Sequence, residues 1–106
     1  MSSIKVPELK KLIADEPNLV VIDIRTEREL ADGFIPKALW MDVSSPEFMK
    51  NINNLPKDKT YCLYCASGGR TGMVIPFMEM NGFSKVYDLE GGIMSWILSG
   101  NELALK

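Results

Sequence analysis

Cys65 stands where a strand-like segment gives way to a short loop, and this position is suited to covalent chemistry. The residues before it, Thr60–Tyr64, are rich in aromatic and β-favouring types, whereas the segment from Thr71 onward has the length and apolar content of a helix. A cysteine between a strand and a helix N-terminus faces several backbone N–H groups, which favour the thiolate over the thiol. Because the thiolate is the reactive form, the pattern predicts a nucleophile at Cys65.

The amino-acid inventory limits how Cys65 could be activated, because the chain contains two cysteines and no histidine. Four-ligand zinc sites of the Cys/His type and nucleophile–histidine pairs are thereby excluded. We predict no metal and no cofactor. The remaining sources of thiolate stabilisation are the loop amides and a nearby cation, and Arg70 at the end of the loop is the candidate cation.

Cys62 and Cys65 have the C-x-x-C spacing of redox pairs, but Cys62 falls inside the predicted strand. Residues three apart on a strand point to opposite faces of the sheet. We therefore predict that Cys62 fills the core, since a disulfide would require the end of the strand to distort.

Apolar residues elsewhere recur in the patterns of a layered α/β protein. Continuous runs such as Leu19–Ile22 are typical of strands covered on both faces, and the spacing of Leu9, Leu12 and Ile13 is typical of a helix. The predicted strands are Ile4–Val6, Leu19–Ile22, Ala38–Met41, Thr60–Tyr64 and Val86–Leu89. The predicted helices start at Pro7 and span Thr26–Leu30, Ser45–Ile52, Thr71–Met80 and Ile93–Leu98.

The alternation of strands and helices predicts an α/β fold with a mostly parallel sheet of four to five strands and helices on both faces. In such sheets, sites form beyond the carboxyl ends of the strands. Segments 23–25, 65–70 and 89–92 each follow a predicted strand. We therefore expect the three segments to converge at one edge of the sheet.

Length and composition are those of an ordinary globular domain. With 106 residues, 46% of them hydrophobic and 25% charged, the chain can bury a core, and we predict one domain over residues 1–106. A net charge of −2 without a basic run disfavours nucleic acid and anionic membranes as partners. We expect a cytoplasmic protein, since the start of the chain lacks a long apolar signal and no segment reaches the ~20 apolar residues of a membrane span.

The chain resembles the rhodanese family, specifically its single-domain sulfurtransferases, over nearly its whole length. The resemblance rests on several ordered motifs rather than on one. These motifs are Asp23-Ile24-Arg25 with Glu29, Gly33-Phe34-Ile35-Pro36-Lys37-Ala38, Tyr64-Cys65-Ala66-Ser67-Gly68-Gly69-Arg70, and Leu89-Glu90-Gly91-Gly92-Ile93 with Trp96 and Gly100.

The resemblance implies a sulfurtransferase that works through a persulfide on Cys65. Its expected substrates are a small-molecule sulfur donor such as thiosulfate and an acceptor that is cyanide or a thiol, and a protein acceptor such as a thioredoxin is a further candidate partner. Arg70 would act with Cys65, and the loop residues would bind the transferred sulfur. These loop residues are Ala66, Ser67, Gly68 and Gly69.

The resemblance also places a supporting segment beside the loop, with Asp23, Arg25 and Glu29 as its polar members. Asp23 and Glu29 are the candidate carboxylate partners of Arg70, because an Arg–carboxylate fork would order the loop.

Three positions depart from the family pattern: Phe34 replaces the usual histidine, Lys37 the usual glycine, and Ala66 a residue that is often arginine. The first two are expected to alter packing rather than activity. Ala66 weakens the expected attraction for anionic donors. A persulfide carrier or interaction module that turns over small donors slowly is therefore the main alternative.

The length of the loop separates this chemistry from phosphoryl transfer. Four residues lie between Cys65 and Arg70, whereas tyrosine phosphatases have five between their cysteine and arginine. A shorter loop encloses a smaller volume, which suits one sulfur atom better than a phosphoryl group. Phosphatase and arsenate reductase activities are therefore the least favoured alternatives.

Overall fold

The computed structural model describes residues 2–105, and its five strands form one sheet in the order β1-β5-β4-β2-β3. Every neighbouring pair in this sheet is parallel. The strands are β1 Ser2–Ile4, β2 Leu19–Asp23, β3 Leu39–Trp40, β4 Thr60–Tyr64 and β5 Lys85–Leu89. The helices are α1 Val6–Asp15, α2 Glu27–Leu30, α3 Phe48–Asn53, α4 Thr71–Met80 and α5 Gly92–Leu98. The predicted α/β class and parallel sheet are thus confirmed.

Apolar side chains cover both faces of the sheet, because side chains alternate along each strand. On one face, Tyr61 and Leu63 of β4 pack in a cluster with residues of α3 and α4. On the other face, Cys62 and Tyr64 pack in a cluster with residues of α1 and α5. The prediction that Cys62 fills the core is confirmed, and Cys65 lies with the cluster on the opposite face.

Three predicted element boundaries were wrong. The first strand lies earlier than Ile4–Val6, because Val6 already belongs to α1, where the Lys5 N–H donates to Glu8 Oε1 at 3.0 Å and Pro7 occupies the first turn. Helix α3 begins at Phe48 rather than at Ser45, whose carbonyl accepts a turn hydrogen bond from the Phe48 N–H at 3.1 Å. Strand β3 is shorter than predicted because only Leu39 and Trp40 pair with β2.

Helices α1 and α4 are each 10 residues long. Within residues 2–105, no helix has the length and apolar character that crossing a bilayer requires.

Candidate active site

The loop of residues 65–70 joins the end of β4 to the start of α4, and its backbone surrounds the sulfur of Cys65. The N–H of Gly68 donates to Cys65 Sγ at 3.1 Å. Gly68 has a φ of +116°, a conformation that favours glycine, and this turn aims its N–H back at the sulfur. The predicted arrangement of a cysteine facing loop amides is therefore present.

The electrostatic balance at Cys65 favours the thiolate. Burial by itself would raise the pKa of the thiol, but hydrogen bonds from the backbone of Thr71, Arg70, Gly68 and Ser67 outweigh it and lower the pKa below the ordinary value of 9.0. These amides belong to the loop and to the first residue of α4, where unpaired N–H groups are expected. The pKa of Cys65 is therefore lowered by residues that are close to it in sequence, because residues 67–71 supply the hydrogen bonds.

Cys65 is almost closed to solvent, with 1% of the residue exposed. Its side chain packs with the buried cluster of β4, α3 and α4 while its sulfur receives the loop amides. Access of a reactant to Sγ is therefore tightly restricted while the loop keeps this position.

The outer side of the loop is bound by the N-terminus of α5. The carbonyls of Cys65 and Ala66 accept hydrogen bonds from the N–H groups of Ile93 and Met94 at 3.0 and 3.2 Å. Gly92, at φ +59°, makes this approach feasible, because a Cβ there would lie 2.5 Å from the Cys65 oxygen and 2.7 Å from the Ala66 oxygen. Since the loop carbonyls turn toward α5, the N–H groups remain directed at the sulfur. The sequence analysis placed Gly92 in segment 89–92, which was expected to converge with the loop, but it assigned Gly92 no contact; the Gly-Gly pair after β5 was the available signal.

Arg70 and Glu29 form the predicted fork, with Nη1–Oε1 at 2.7 Å and Nη2–Oε2 at 2.8 Å. The Arg70 guanidinium, followed by hydrogen bonds from Thr26, lowers the pKa of Glu29 to about 2 against the effect of burial. Glu29, and to a smaller extent Cys65, raises the pKa of Arg70 in return. Thr26, the N-cap residue of α2, thus holds the Glu29 carboxylate, and that carboxylate positions the Arg70 guanidinium.

We expect Glu29→Gln to lower the free energy of unfolding at pH 7 by about 1 kcal/mol, a modest value because both side chains are about a third exposed. The folded-state pKa of Glu29, about 2, lies below its ordinary 4.5, so its stabilising contribution is present above pH 4.5 and fades toward pH 2. Urea unfolding at pH 7 and near pH 2 measures this difference. The loss of unfolding free energy caused by Glu29→Gln should shrink at low pH. Glu102→Gln, which neutralises an exposed carboxylate, should leave the urea unfolding curve unchanged at both pH values. An equal difference at both pH values would contradict the pairing.

Asp23, the other candidate partner of Arg70, binds Arg25 instead. The Arg25 Nη2 lies 2.7 Å from Asp23 Oδ2, and Arg25 Nη2 also donates to the Gly33 carbonyl at 2.7 Å. Both Asp23 and Arg25 are buried. The pair therefore ties the end of β2 to the turn after α2.

Tyr64 is a polar residue of this network that the sequence analysis missed. Its hydroxyl donates to Asp23 Oδ2 at 2.6 Å and accepts from the Ile35 N–H at 3.0 Å. The signal was present, since a tyrosine at the end of a fully buried strand needs a partner for its hydroxyl. Tyr64 therefore joins β4, at the residue before the nucleophile candidate, to β2 and to segment 33–35.

The departures at Phe34 and Lys37 lie in the segment that follows α2. Phe34 exchanges two backbone hydrogen bonds with Ala104, at 3.0 and 2.8 Å, and so docks the C-terminal segment. Lys37 has a φ of +69°, in the left-handed region that glycine adopts without strain. Lys37 lines a groove with Leu19 and Val20, at the start of β2. The other end of β2, at Asp23, approaches the site.

The chain matches the model of the rhodanese-like domain over residues 5–99. It belongs to the rhodanese-like domain family. A protein named sulfurtransferase from Allochromatium vinosum is 33% identical over 92 residues, which cover 87% of this chain and 84% of that protein.

Two further relatives differ in how much of their length the matched domain occupies. A crystal structure of a rhodanese-related protein from Thermoplasma volcanium superposes with a TM-score of 0.88 at 31% identity and covers all of both chains. A tRNA uridine(34) hydroxylase from Pelagibacter ubique is 36% identical over 82% of this chain, which spans 29% of that longer protein. The family therefore includes proteins of about this length and longer proteins that contain the domain.

Proposed function

We propose that this member of the rhodanese-like domain family is a sulfurtransferase that moves a sulfane sulfur from a donor such as thiosulfate to cyanide or a thiol through a persulfide on Cys65. The observation that carries the proposal is the position of Cys65 Sγ, which receives the Gly68 N–H at 3.1 Å and has a lowered pKa in a loop that ends at Arg70. The relatives named sulfurtransferase support the same reaction class.

The reaction proceeds by two displacements at sulfur. The Cys65 thiolate attacks the outer sulfur of thiosulfate, the S–S bond of the donor breaks, and sulfite leaves with the bonding electrons. Cys65 then carries one extra sulfur as a persulfide anion. Cyanide attacks that outer sulfur, the S–S bond to Cys65 breaks, and thiocyanate leaves while the thiolate is restored. A thiol acceptor takes the sulfur in the same way and becomes a persulfide.

The loop supplies the electrostatic part of this proposal. The N–H groups of residues 66–70 would hold the negative outer sulfur, as an oxyanion hole holds oxygen. Asp23, Arg25 and Glu29 are assigned supporting roles, because they fix the elements around the loop and the guanidinium of Arg70.

Intact-mass measurement after incubation with thiosulfate tests the proposal most directly. We expect the protein to gain one sulfur atom, to lose it when cyanide is added, and to gain none after alkylation of Cys65. Steady-state rates with both substrates varied should show ping-pong behaviour. A protein that neither gains sulfur nor forms thiocyanate would refute the proposed reaction.

Replacing Arg70 should slow transfer without unfolding the protein. Arg70→Ala removes a cation that interacts with both Glu29 and Cys65, so we expect the rate to fall by about ten-fold, the effect of one charge-assisted hydrogen bond. Thiocyanate formation measures the rate, and circular dichroism checks the fold. Arg28→Ala, which removes an exposed arginine of α2, should stay within about two-fold of the unmodified protein. Equal rates for the two variants would contradict the role of Arg70.

A persulfide carrier is the second candidate function, favoured by the near-complete burial of Cys65 (1% exposed) and by the uncharged Ala66 beside it. A carrier would gain the sulfur atom but release it slowly to cyanide and faster to a protein thiol, for which thioredoxin is the proposed probe.

Hydrolysis of an aryl phosphate that depends on Cys65 would instead indicate a phosphatase. We propose a cytoplasmic setting for either sulfur reaction, because the thiol must stay reduced between turnovers.

A further inference from the structure

The tip of the loop, Gly68 and Gly69, is held by hydrogen bonds rather than by packing. Leaving out each glycine and its chain neighbours, no heavy atom lies within 4 Å of where a Cβ would stand at either position. Gly68 donates its N–H to Cys65 Sγ at 3.1 Å, and its carbonyl lies 2.9 Å from Thr71 Oγ1. The Thr71 hydroxyl is therefore within hydrogen-bond reach of the loop tip and can anchor it.

The Thr71 hydroxyl has a second acceptor, because Asp88 Oδ1 lies 2.7 Å from the same Oγ1. A hydroxyl can donate only one proton, so Thr71 can satisfy only one of these two acceptors at a time. An ionised Asp88 and the Gly68 carbonyl therefore compete for that proton, and the charged acceptor forms the stronger bond. A neutral donor at position 88 would instead donate to Oγ1 and direct the hydroxyl proton to Gly68.

The negative charge of Asp88 is poorly compensated by the residues around it. It lies half-buried near the end of β5, and burial, followed by the charge of Glu90, raises its pKa against the opposing hydrogen bond from Thr71. The other titratable group that it acts on is Cys62 of β4, whose pKa is raised to about 12 by burial and by the charge of Asp88. The hydroxyl of Thr71 thus donates the hydrogen bond that stabilises the Asp88 carboxylate.

We propose that Asp88 is a positioning residue for the Cys65 loop, which acts by drawing the Thr71 proton away from the Gly68 carbonyl. The loop tip is then free to lift, which the almost closed Cys65 requires before a reactant can contact its sulfur. This inference rests on the proposed role of Cys65 as the reacting group and adds the device that regulates access to it.

Alkylation of Cys65 by iodoacetamide across a pH series tests the inference. The midpoint of the rate profile reports the pKa of the thiol, and the plateau reports access to the thiolate. In Asp88→Asn the amide can donate to Thr71 Oγ1, so the loop should close more firmly. We expect a plateau rate lower by roughly three- to ten-fold, the effect of one hydrogen bond, and a midpoint at lower pH.

A double-mutant cycle shows whether Asp88 acts through Thr71. Thr71→Val should leave the plateau rate within about two-fold of that of the unmodified protein, because the native hydroxyl proton is already directed at Asp88. Thr71→Ser should behave as the unmodified protein, and Asp88→Asn should have no added effect in the Thr71→Val background. Glu90→Gln, which removes a neighbouring charge, should change the plateau rate by less than about two-fold.

Three results would overturn the inference: an Asp88→Asn profile equal to the unmodified one, an Asp88→Asn effect that persists with Thr71→Val, or a Glu90→Gln effect of the same size. Should Thr71→Val fail to fold, Asp88→Asn and Glu90→Gln still decide the matter. Alkylation needs no sulfur donor, so a protein that forms no persulfide would refute the proposed reaction while leaving this measurement readable.

Discussion

Cys65→Ser should abolish sulfur transfer, with a rate loss of about a thousand-fold or more. A serine hydroxyl stays protonated where the loop amides hold a thiolate, and it forms no persulfide. Thiocyanate formation measures the rate, and intact mass after thiosulfate treatment shows whether the variant gains sulfur. Residual transfer near that of the unmodified protein would remove Cys65 from the mechanism.

The second cysteine provides the matched control for this substitution. Cys62 is fully buried on the other face of β4, and burial followed by the charge of Asp88 raises its pKa to about 12. Cys62→Ala should therefore keep both the mass gain and the transfer rate, at a cost to stability of about 1–2 kcal/mol for the small cavity. Loss of the mass gain in Cys62→Ala would indicate that the two cysteines act together.

Gly92→Ala should cause the largest loss of stability, about 3 kcal/mol, together with a loss of sulfur transfer of ten-fold or more. The added Cβ would lie 2.5 Å from the carbonyl oxygen of Cys65, and the backbone there has a φ of +59°. Either α5 or the loop must shift, and both shifts weaken the hydrogen bonds that keep the loop amides directed at the sulfur. Urea unfolding and thiocyanate formation measure the two effects.

Gly100→Ala separates the collision from the backbone strain. Gly100 also has a positive φ, +79°, but no heavy atom lies within 4 Å of its Cβ position. This variant should lose only about 1 kcal/mol and retain its transfer rate. Similar losses of stability and activity in both variants would show that the contact of Gly92 with the loop is unimportant.

Local patterns were sufficient to predict the elements that carry the loop. Helix α4 has the predicted bounds Thr71–Met80, and β4 has the predicted bounds Thr60–Tyr64. Both are strongly apolar segments, whose periodicity or continuity reflects burial directly. The short elements were predicted less well. Helix α3 starts three residues later than predicted and β3 comprises two residues, because turn hydrogen bonds and neighbouring strands set their limits.

The amides that face Cys65 are also supplied by residues adjacent to it in sequence. The N–H groups that lower the pKa of Cys65 belong to residues 67–71, so a contiguous stretch of sequence contains both the nucleophile candidate and its electrostatic environment. The pairing of Glu29 with Arg70 was predicted as one of two alternatives. Choosing between Asp23 and Glu29 required the structure, because residues 41 positions apart meet only through the order of the strands.

The order of residues was therefore enough to identify a cysteine loop of the rhodanese type and the parallel sheet that carries it, because hydrophobic periodicity and a contiguous loop are local properties. The partners of that loop depended on long-range packing. The fork of Arg70 with Glu29, the contact of Gly92 with the Cys65 carbonyl and the position of Thr71 beside Asp88 all arise where separate strands end at one edge of the sheet. Their distances follow from the parallel register of β2, β4 and β5. That register results from burying both faces of the sheet at once, and no local segment encodes it.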